Sequence, residues 1–325
     1  MKRKAGLFAA LLLCVFLASC AKTTETETGE ASVVVGFSQL GAESSWRIAN
    51  TESMESAARE AGFGLMMENA NQKQEKQIDA IRSFIAYRVD VIVFSPIVEG
   101  GWDNVLNEAK KAGIPVILMD RMIETPDETL YTAYIGADFY AEGYRAGEYL
   151  IRKADDLGAE HLRIVEITGT ADSTPMRDRQ KGFMDAIAGD KRFTVVDSIC
   201  GDFLRSKGEE CALQLLEKHG KEGIDVIYSH NDSMMLGVLD ILEQQGIRPG
   251  KDIILITVDG EKEAVDALKA GKINCVVQCT PKLGGPVMSL VRRLTAGEEI
   301  PKVTHPEESA FTDFDDLTDP SVEGF

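Results

Sequence analysis

Short apolar runs recur along the chain, and each is followed by a longer segment with helical spacing. In the first half VVVGFS (33–38), GLMME (64–68), VDVIVFS (89–95) and IPVILMD (114–120) read as strands. In the second half LRIVEIT (162–168), FTVVDSI (193–199), IDVIYS (224–229), DIILITVDG (252–260) and INCVVQC (273–279) do the same. The intervening stretches 45–61, 72–88, 102–112, 138–156, 175–188, 206–219, 233–245, 261–270 and 284–296 read as helices. Gly62 closes the first, and Ile78, Ile81, Phe84 and Ile85 share a face of the second. Strands that are apolar throughout, rather than alternating, belong to parallel sheets covered on both faces. There are too many such units for one sheet. The pattern therefore predicts an α/β protein with two doubly wound parallel-sheet lobes.

The start of the chain has a different pattern. Lys2, Arg3 and Lys4 precede an apolar run from Leu7 to Phe16, which closes on Leu17-Ala18-Ser19-Cys20. A basic start, a short apolar stretch and small residues at a cut site form an export signal, and the run is shorter than the ~20 apolar residues a membrane span needs. Residues 1–19 are expected to be a lipoprotein signal peptide and Cys20 the lipid-bearing N-terminus. Residues 20–31, rich in Thr and Glu, are expected to be a flexible tether. This address puts the protein in the periplasm or cell envelope, anchored through Cys20. Free ATP and NAD are absent there, so strand–helix alternation points to a binding protein more than to a nucleotide enzyme.

Composition adds three points. About 305 residues remain beyond the leader, enough for two lobes. Loss of Lys2, Arg3 and Lys4 with the leader takes the formal charge from −18 to −21, a surface that repels nucleic acid and anionic headgroups. Among the six cysteines, Cys275 and Cys279 sit four apart in a strand, roughly 13 Å between Cα atoms and too far to bridge. Whether Cys200 and Cys211 pair stays open. The four histidines are scattered and no cysteine set has zinc spacing, so neither a metal nor a cofactor is expected.

Ligands of open parallel sheets bind at the carboxyl ends of strands. There the chain carries Ser44, Trp46 and Arg47 after the first strand and Asp120-Arg121 after the fourth. It carries Arg177 beyond the strand at 162–168, Phe203 after 193–199, Asn231 and Asp232 after 224–229, Asp259 at the end of 252–259, and Gln278 on the penultimate strand. Carboxylates and amides pair with vicinal hydroxyls, arginine supplies forked donors, and an aromatic ring packs on the C–H face of a sugar. Taken singly, Asp120, Asp232 and Asp259 also fit as helix caps, and Arg177 as a surface ion-pair partner.

At these residues the chain resembles the periplasmic sugar-binding proteins of the ribose/galactose type that feed ABC importers, and within them the galactofuranose binders. The matching stretches are GFSQLGAESSWR (36–47), QKQEKQIDAIRSF (72–84), VDVIVFSP (89–96), EAKKAGIPVILMDR (108–121), GDFLRSKGEE (201–210), HNDSMMLG (230–237), PGKDI (249–253), VDG (258–260) and TPKLGGP (280–286). The resemblance implies the type I fold: two lobes joined by three crossing strands, near 135–138, 279–282 and 304–309. The lobes are expected at 32–136 plus 281–306 and 137–280 plus 307–325. It also implies that a monosaccharide, galactofuranose or a related aldose, is held by Ser44, Trp46, Arg47, Asp120, Arg121, Arg177, Phe203, Asn231, Asp259 and Gln278. The implied protein is a monomer that hands its sugar to ABC permease membrane subunits. Gln278 and Cys279 depart from the family pattern, and the pair Trp46-Arg47 replaces the adjacent aromatics of ribose binders. With stacking at an exposed cleft, Trp46→Ala is expected to remove binding without unfolding the protein.

Other classes fit less well. A sensory role for chemotaxis uses the same fold and stays open, as does a receptor for a different small polar ligand. A glycosidase using Asp120 and Asp259 would need a general acid, and Asp120 adjoins Arg121. No GxSxG or Walker A sequence occurs, the N-terminus has no helix-turn-helix, and there is no calcium loop.

Overall fold

The structure is a computed structural model that describes residues 33–325. The leader, Cys20 and the tether lie outside the described residues. The first half runs β1 (Val34–Gln39), α1 (Ser45–Ala61), β2 (Gly64–Asn69), α2 (Gln74–Tyr87), β3 (Val91–Phe94), α3 (Asp103–Ala112), β4 (Val116–Met119) and β5 (Ala133–Ile135). The second half runs α4 (Phe139–Leu157), β6 (Leu162–Thr168), α5 (Thr174–Ile187), β7 (Phe193–Cys200), α6 (Arg205–His219), β8 (Val226–Ser229), α7 (Asp232–Gln244), β9 (Ile254–Asp259), α8 (Lys262–Lys269) and β10 (Cys275–Gln278). It ends with α9 (Gly284–Thr295), β11 (Val303–Thr304) and β12 (Ala310–Thr312).

Two sheets result, ordered β11-β5-β4-β3-β1-β2 and β12-β10-β9-β8-β6-β7. Every pairing is parallel except β10 with β12. The chain passes from the first sheet to the second after β5. It returns after β10 through α9, which packs on α1, and crosses again between β11 and β12. This is the expected doubly wound pair with three crossings. Val91–Phe94 and Val116–Met119 are buried along their whole length, as helices on both faces require. Edge strand β7 is only half-buried.

Local chemistry sets the helix ends nearest the inter-sheet cleft. The Ser44 hydroxyl accepts from Arg47 N–H at 3.2 Å and caps α1, and the Asp138 carboxylate accepts from Ala141 N–H at 2.9 Å and caps α4. Pro175 opens α5, where its missing N–H does no harm. Helices α4 and α5 meet without room for a side chain: a Cβ on Gly143 would lie 2.0 Å from the Arg179 carbonyl oxygen, and one on Gly182 would lie 2.1 Å from that of Tyr140. That close approach fixes where the buried face of α5 points. Phe183 and Ile187 on that face are buried against the second sheet.

Candidate functional site

The carboxyl ends of the two sheets enclose a cavity of about 310 Å³, its mouth included, at the lower end of the range for small-molecule sites. Ser44, Trp46, Arg47, Asp120, Arg121, Phe203, Asn231 and Asp259, all named from the sequence, line it. Glu43, Phe139, Pro175, Arg179 and Cys279 line it too.

On the first-sheet side, the Arg47 guanidinium donates to Asp120 Oδ2 at 2.7 Å and to Glu43 Oε1 at 3.0 Å. Ser95 Oγ donates to the same Asp120 oxygen at 2.9 Å. Asp120 therefore caps no helix; it directly follows β4 and is fixed by its partners. Arg121 Nη1 donates to the Ile97 carbonyl at 3.0 Å. Burial, with the Arg47 charge beside it, pulls the Arg121 guanidinium down to about 10, still fully cationic at neutral pH. Trp46 Nε1 donates to the Cys279 carbonyl at 2.8 Å. That ties the first turn of α1 to the second crossing segment.

On the second-sheet side, Arg179 Nε donates to Glu142 Oε2 at 2.7 Å, Nη1 donates to the His230 carbonyl, and Nη2 lies 3.5 Å from Asp259 Oδ1. The Arg179 guanidinium is also 5.2 Å from the Phe139 ring. Asn231 Oδ1 accepts from Met234 N–H at 3.0 Å and caps α7, while its Nδ2 donates to the Phe203 carbonyl. Asp232 is buried and accepts from Thr257 Oγ1, Gly260 N–H and Glu261 N–H. Burial pushes its carboxyl up to about 8. It anchors the loop that presents Asp259 and does not line the cavity. Burial raises Asp259 as well, against the opposing pull of Arg179.

The backbone is strained where it meets the cavity. Asp120 (φ 66°), Phe203 (φ 63°) and Asp259 (φ 132°) take left-handed conformations, costing of order 1–3 kcal/mol each. For a ring as bulky as Phe203 this is a true outlier. The ring fits because residue 169 is glycine: a Cβ there would lie 1.8 Å from Phe203 Cζ. The Arg121 guanidinium lies 5.3 Å from the centre of the same ring, across the cleft. Two lining side chains keep buried polar atoms with no hydrogen-bond partner among the described residues: the acceptor Glu43 Oε2 and the donor Arg121 Nε. Such atoms are rare unless a ligand or water satisfies them.

Two expected residues are not brought to the cavity. The Arg177 side chain is 53% exposed and pairs with Glu99 and Asp178; Arg179 faces the cavity instead, at 4%. Two positions apart on a helix lie on nearly opposite faces. The signal for Arg179 was its spacing to Phe183 and Ile187, four and eight residues on, along the buried stripe. Gln278 points away and accepts from Ser309 N–H at 3.2 Å, because successive strand residues alternate. Cys279 is the cavity-facing residue there. Cys200, Cys211, Cys275 and Cys279 are all free thiols. One donor atom each of Glu142, Cys279 and Glu308 lies within 4.8 Å of the others. The cluster already holds a cation, since Arg179 donates into it, so the guanidinium supplies the charge a metal would bring.

Residues 35–299 match the model of the periplasmic binding protein domain. The chain belongs to the periplasmic binding protein family. Its relatives in that family bind substrates and do not transform them, and the family's place is outside the cytoplasmic membrane. The chain is 38% identical to the galactofuranose-binding protein YtfQ of Escherichia coli K12, over 84% of this chain and 85% of that one. A solved structure from Mycobacterium smegmatis in complex with β-D-fucofuranose superposes with a TM-score of 0.84 at 44% identity, covering 87% of this chain and 92% of the other. The binding protein of the arabinose ABC transporter from Shewanella sp. ANA-3, bound to α- and β-L-arabinofuranose, superposes with a TM-score of 0.82 at 38% identity, covering 86% and 91%.

Proposed function

We propose that this protein captures a monosaccharide in furanose form, galactofuranose or a related aldose, and delivers it to an ABC-type permease while anchored to the membrane through a lipid on Cys20. The observation that carries the sugar reading is the convergence of ion-paired donors and acceptors from both sheets with aromatic rings in one cavity. Arg47–Asp120 and Arg179–Asp259 offer paired donors and acceptors to vicinal hydroxyls, and their own pairing holds them ready before ligand arrives. Trp46 and Phe203 offer faces to C–H groups. The furanose form is favoured by the relatives, since proteins at 38–44% identity bind galactofuranose, fucofuranose and arabinofuranose.

Release and capture follow from the crossings. Of the described residues, 33–136 plus 281–306 move as one body and 137–280 plus 307–325 as the other, and sugar bridging both stabilises the closed form. Contacts across the mouth support this reading: Glu99 N–H to the Asp172 carbonyl at 3.0 Å, and Met122 N–H to Thr174 Oγ1 at 3.2 Å. The test is calorimetric titration of the purified protein with methyl galactofuranoside, arabinofuranosides and their pyranose-locked counterparts. The expected result is a dissociation constant of micromolar strength or tighter, about −8 kcal/mol or more favourable, for a furanoside and not for its pyranoside. Equal or absent binding of both overturns the reading.

A further inference from the structure

Glu142 and Glu308 come together where the three crossings meet. Glu142 lies in the first turn of α4, just after the first crossing, and is fully buried. Glu308 lies on the third crossing, and its Oε1 accepts from Thr280 N–H, on the second, at 2.7 Å. The two carboxyl groups and the Cys279 sulfur approach within 4.8 Å. Glu142 Oε2 holds Arg179 Nε at 2.7 Å, while Oε1 is buried with no hydrogen-bond partner among the described residues. Arg179 reaches onward to Asp259 and the cavity.

We propose that Glu142 and Glu308 act as one acid pair with a single proton between them, and that this pair is the positioning element that sets Arg179 and couples the cavity to the crossing segments. The inference rests on the sugar-binding reading only for its affinity readout. Two carboxylates this close, Glu142 fully buried and Glu308 half-buried, do not both ionise readily. The groups facing them are Arg179 from α5, half-buried Arg145 from α4, Asp259 from β9, Cys279 at the end of β10, Tyr134 from β5 and Tyr228 from β8. Burial raises the Cys279 thiol and both tyrosines, so these stay neutral near pH 7. That leaves Arg179 as the buried cation against Glu142 and Asp259, and a second full charge on Glu308 has no partner. Burial, with Glu142 beside it, pushes the Glu308 carboxyl up to about 8. Burial also raises Glu142, against the pull of Arg179. Above that pH the pair carries two charges, repels across the crossings and competes for Arg179.

The experiment has a ligand-free arm and a ligand arm. Carbon-13 NMR of the side-chain carboxyls, assigned with E142Q and E308Q, should show the pair titrating with an apparent midpoint near 8. A midpoint at the ordinary glutamate value of 4.5 overturns the proposal whether or not any sugar binds. With methyl galactofuranoside as probe, wild-type affinity should fall about tenfold between about pH 7 and about pH 9.5, one pKa unit of coupling, while that of E308Q stays level across the same range. An E308Q profile that follows the wild type overturns the proposal. Absence of any sugar binding with a midpoint near 8 would sink the furanose reading and leave the acid pair standing.

Discussion

At the residue scale, the two arginines of α5 differ in what they face, Arg179 the cavity and Arg177 the surface. Arg179 is buried with three partners, so Arg179→Ala leaves Glu142 without its charge and should weaken sugar affinity at least ~100-fold, about 3 kcal/mol or more. Arg177→Ala removes an exposed pair and should change it less than about fivefold. Calorimetry on the two variants checks the contrast, and equal effects would contradict the assignment. Trp46 behaves differently from the expectation drawn from sequence. It is only 5% exposed and its N–H holds the crossing segment. Trp46→Ala should therefore cost about 3–5 kcal/mol of stability as well as affinity, read as a shift in the denaturant midpoint. The acid pair gives a further stability test. Glu308 has a folded-state pKa above its unfolded one, so its contribution is complete below about pH 4.5 and is lost as pH rises toward 8. Over that window wild-type stability should decline relative to E308Q, and a constant difference would contradict the shift.

At the element scale, strand and helix placement was legible because buried parallel strands and amphipathic helices leave strong periodic patterns. The long helices match to within a residue or two, for example 45–61 and 138–156 against Ser45–Ala61 and Phe139–Leu157. The short strands β5, β11 and β12 have two or three residues each, too few to show a period, and they emerge only from tertiary pairing. Side-chain direction was the weaker part of the reading. Ser44 after β1, Asp120 and Arg121 after β4, Phe203 after β7, Asn231 after β8 and Asp259 at the end of β9 all line the cavity, since the carboxyl ends of both sheets face it. On α5 a shift of two residues, and just past β10 a shift of one, decides the outcome, which is why Arg179 and Cys279 line the cavity where Arg177 and Gln278 were expected. Two glycines mark element contacts the pattern does not announce. Gly169→Ala should displace the Phe203 ring and weaken sugar binding with little loss of secondary structure, checked by titration and circular dichroism. Gly143→Ala should force α4 from α5 and cost about 1–3 kcal/mol.

At the scale of the whole molecule, two sheets with facing carboxyl ends make a site that neither could complete alone. Arg47, Asp120 and Arg121 come from one sheet and Phe203, Asp259 and Arg179 from the other side of the cleft. Under the proposed function, binding energy gathered from both sides would turn capture into closure. The anchor is the part that lies outside the described residues. Cys20→Ser should move the protein from the membrane fraction to the soluble fraction, and a variant that stays with membranes would refute the lipid anchor. The most direct test of the central claim is a crystal structure of the protein grown with methyl galactofuranoside. The account predicts a sugar in the cavity contacting Asp120 or Arg121 on one side and Asp259 or Arg179 on the other, with Trp46 or Phe203 against its ring. A sugar bound elsewhere, or touching residues of one sheet alone, would contradict it.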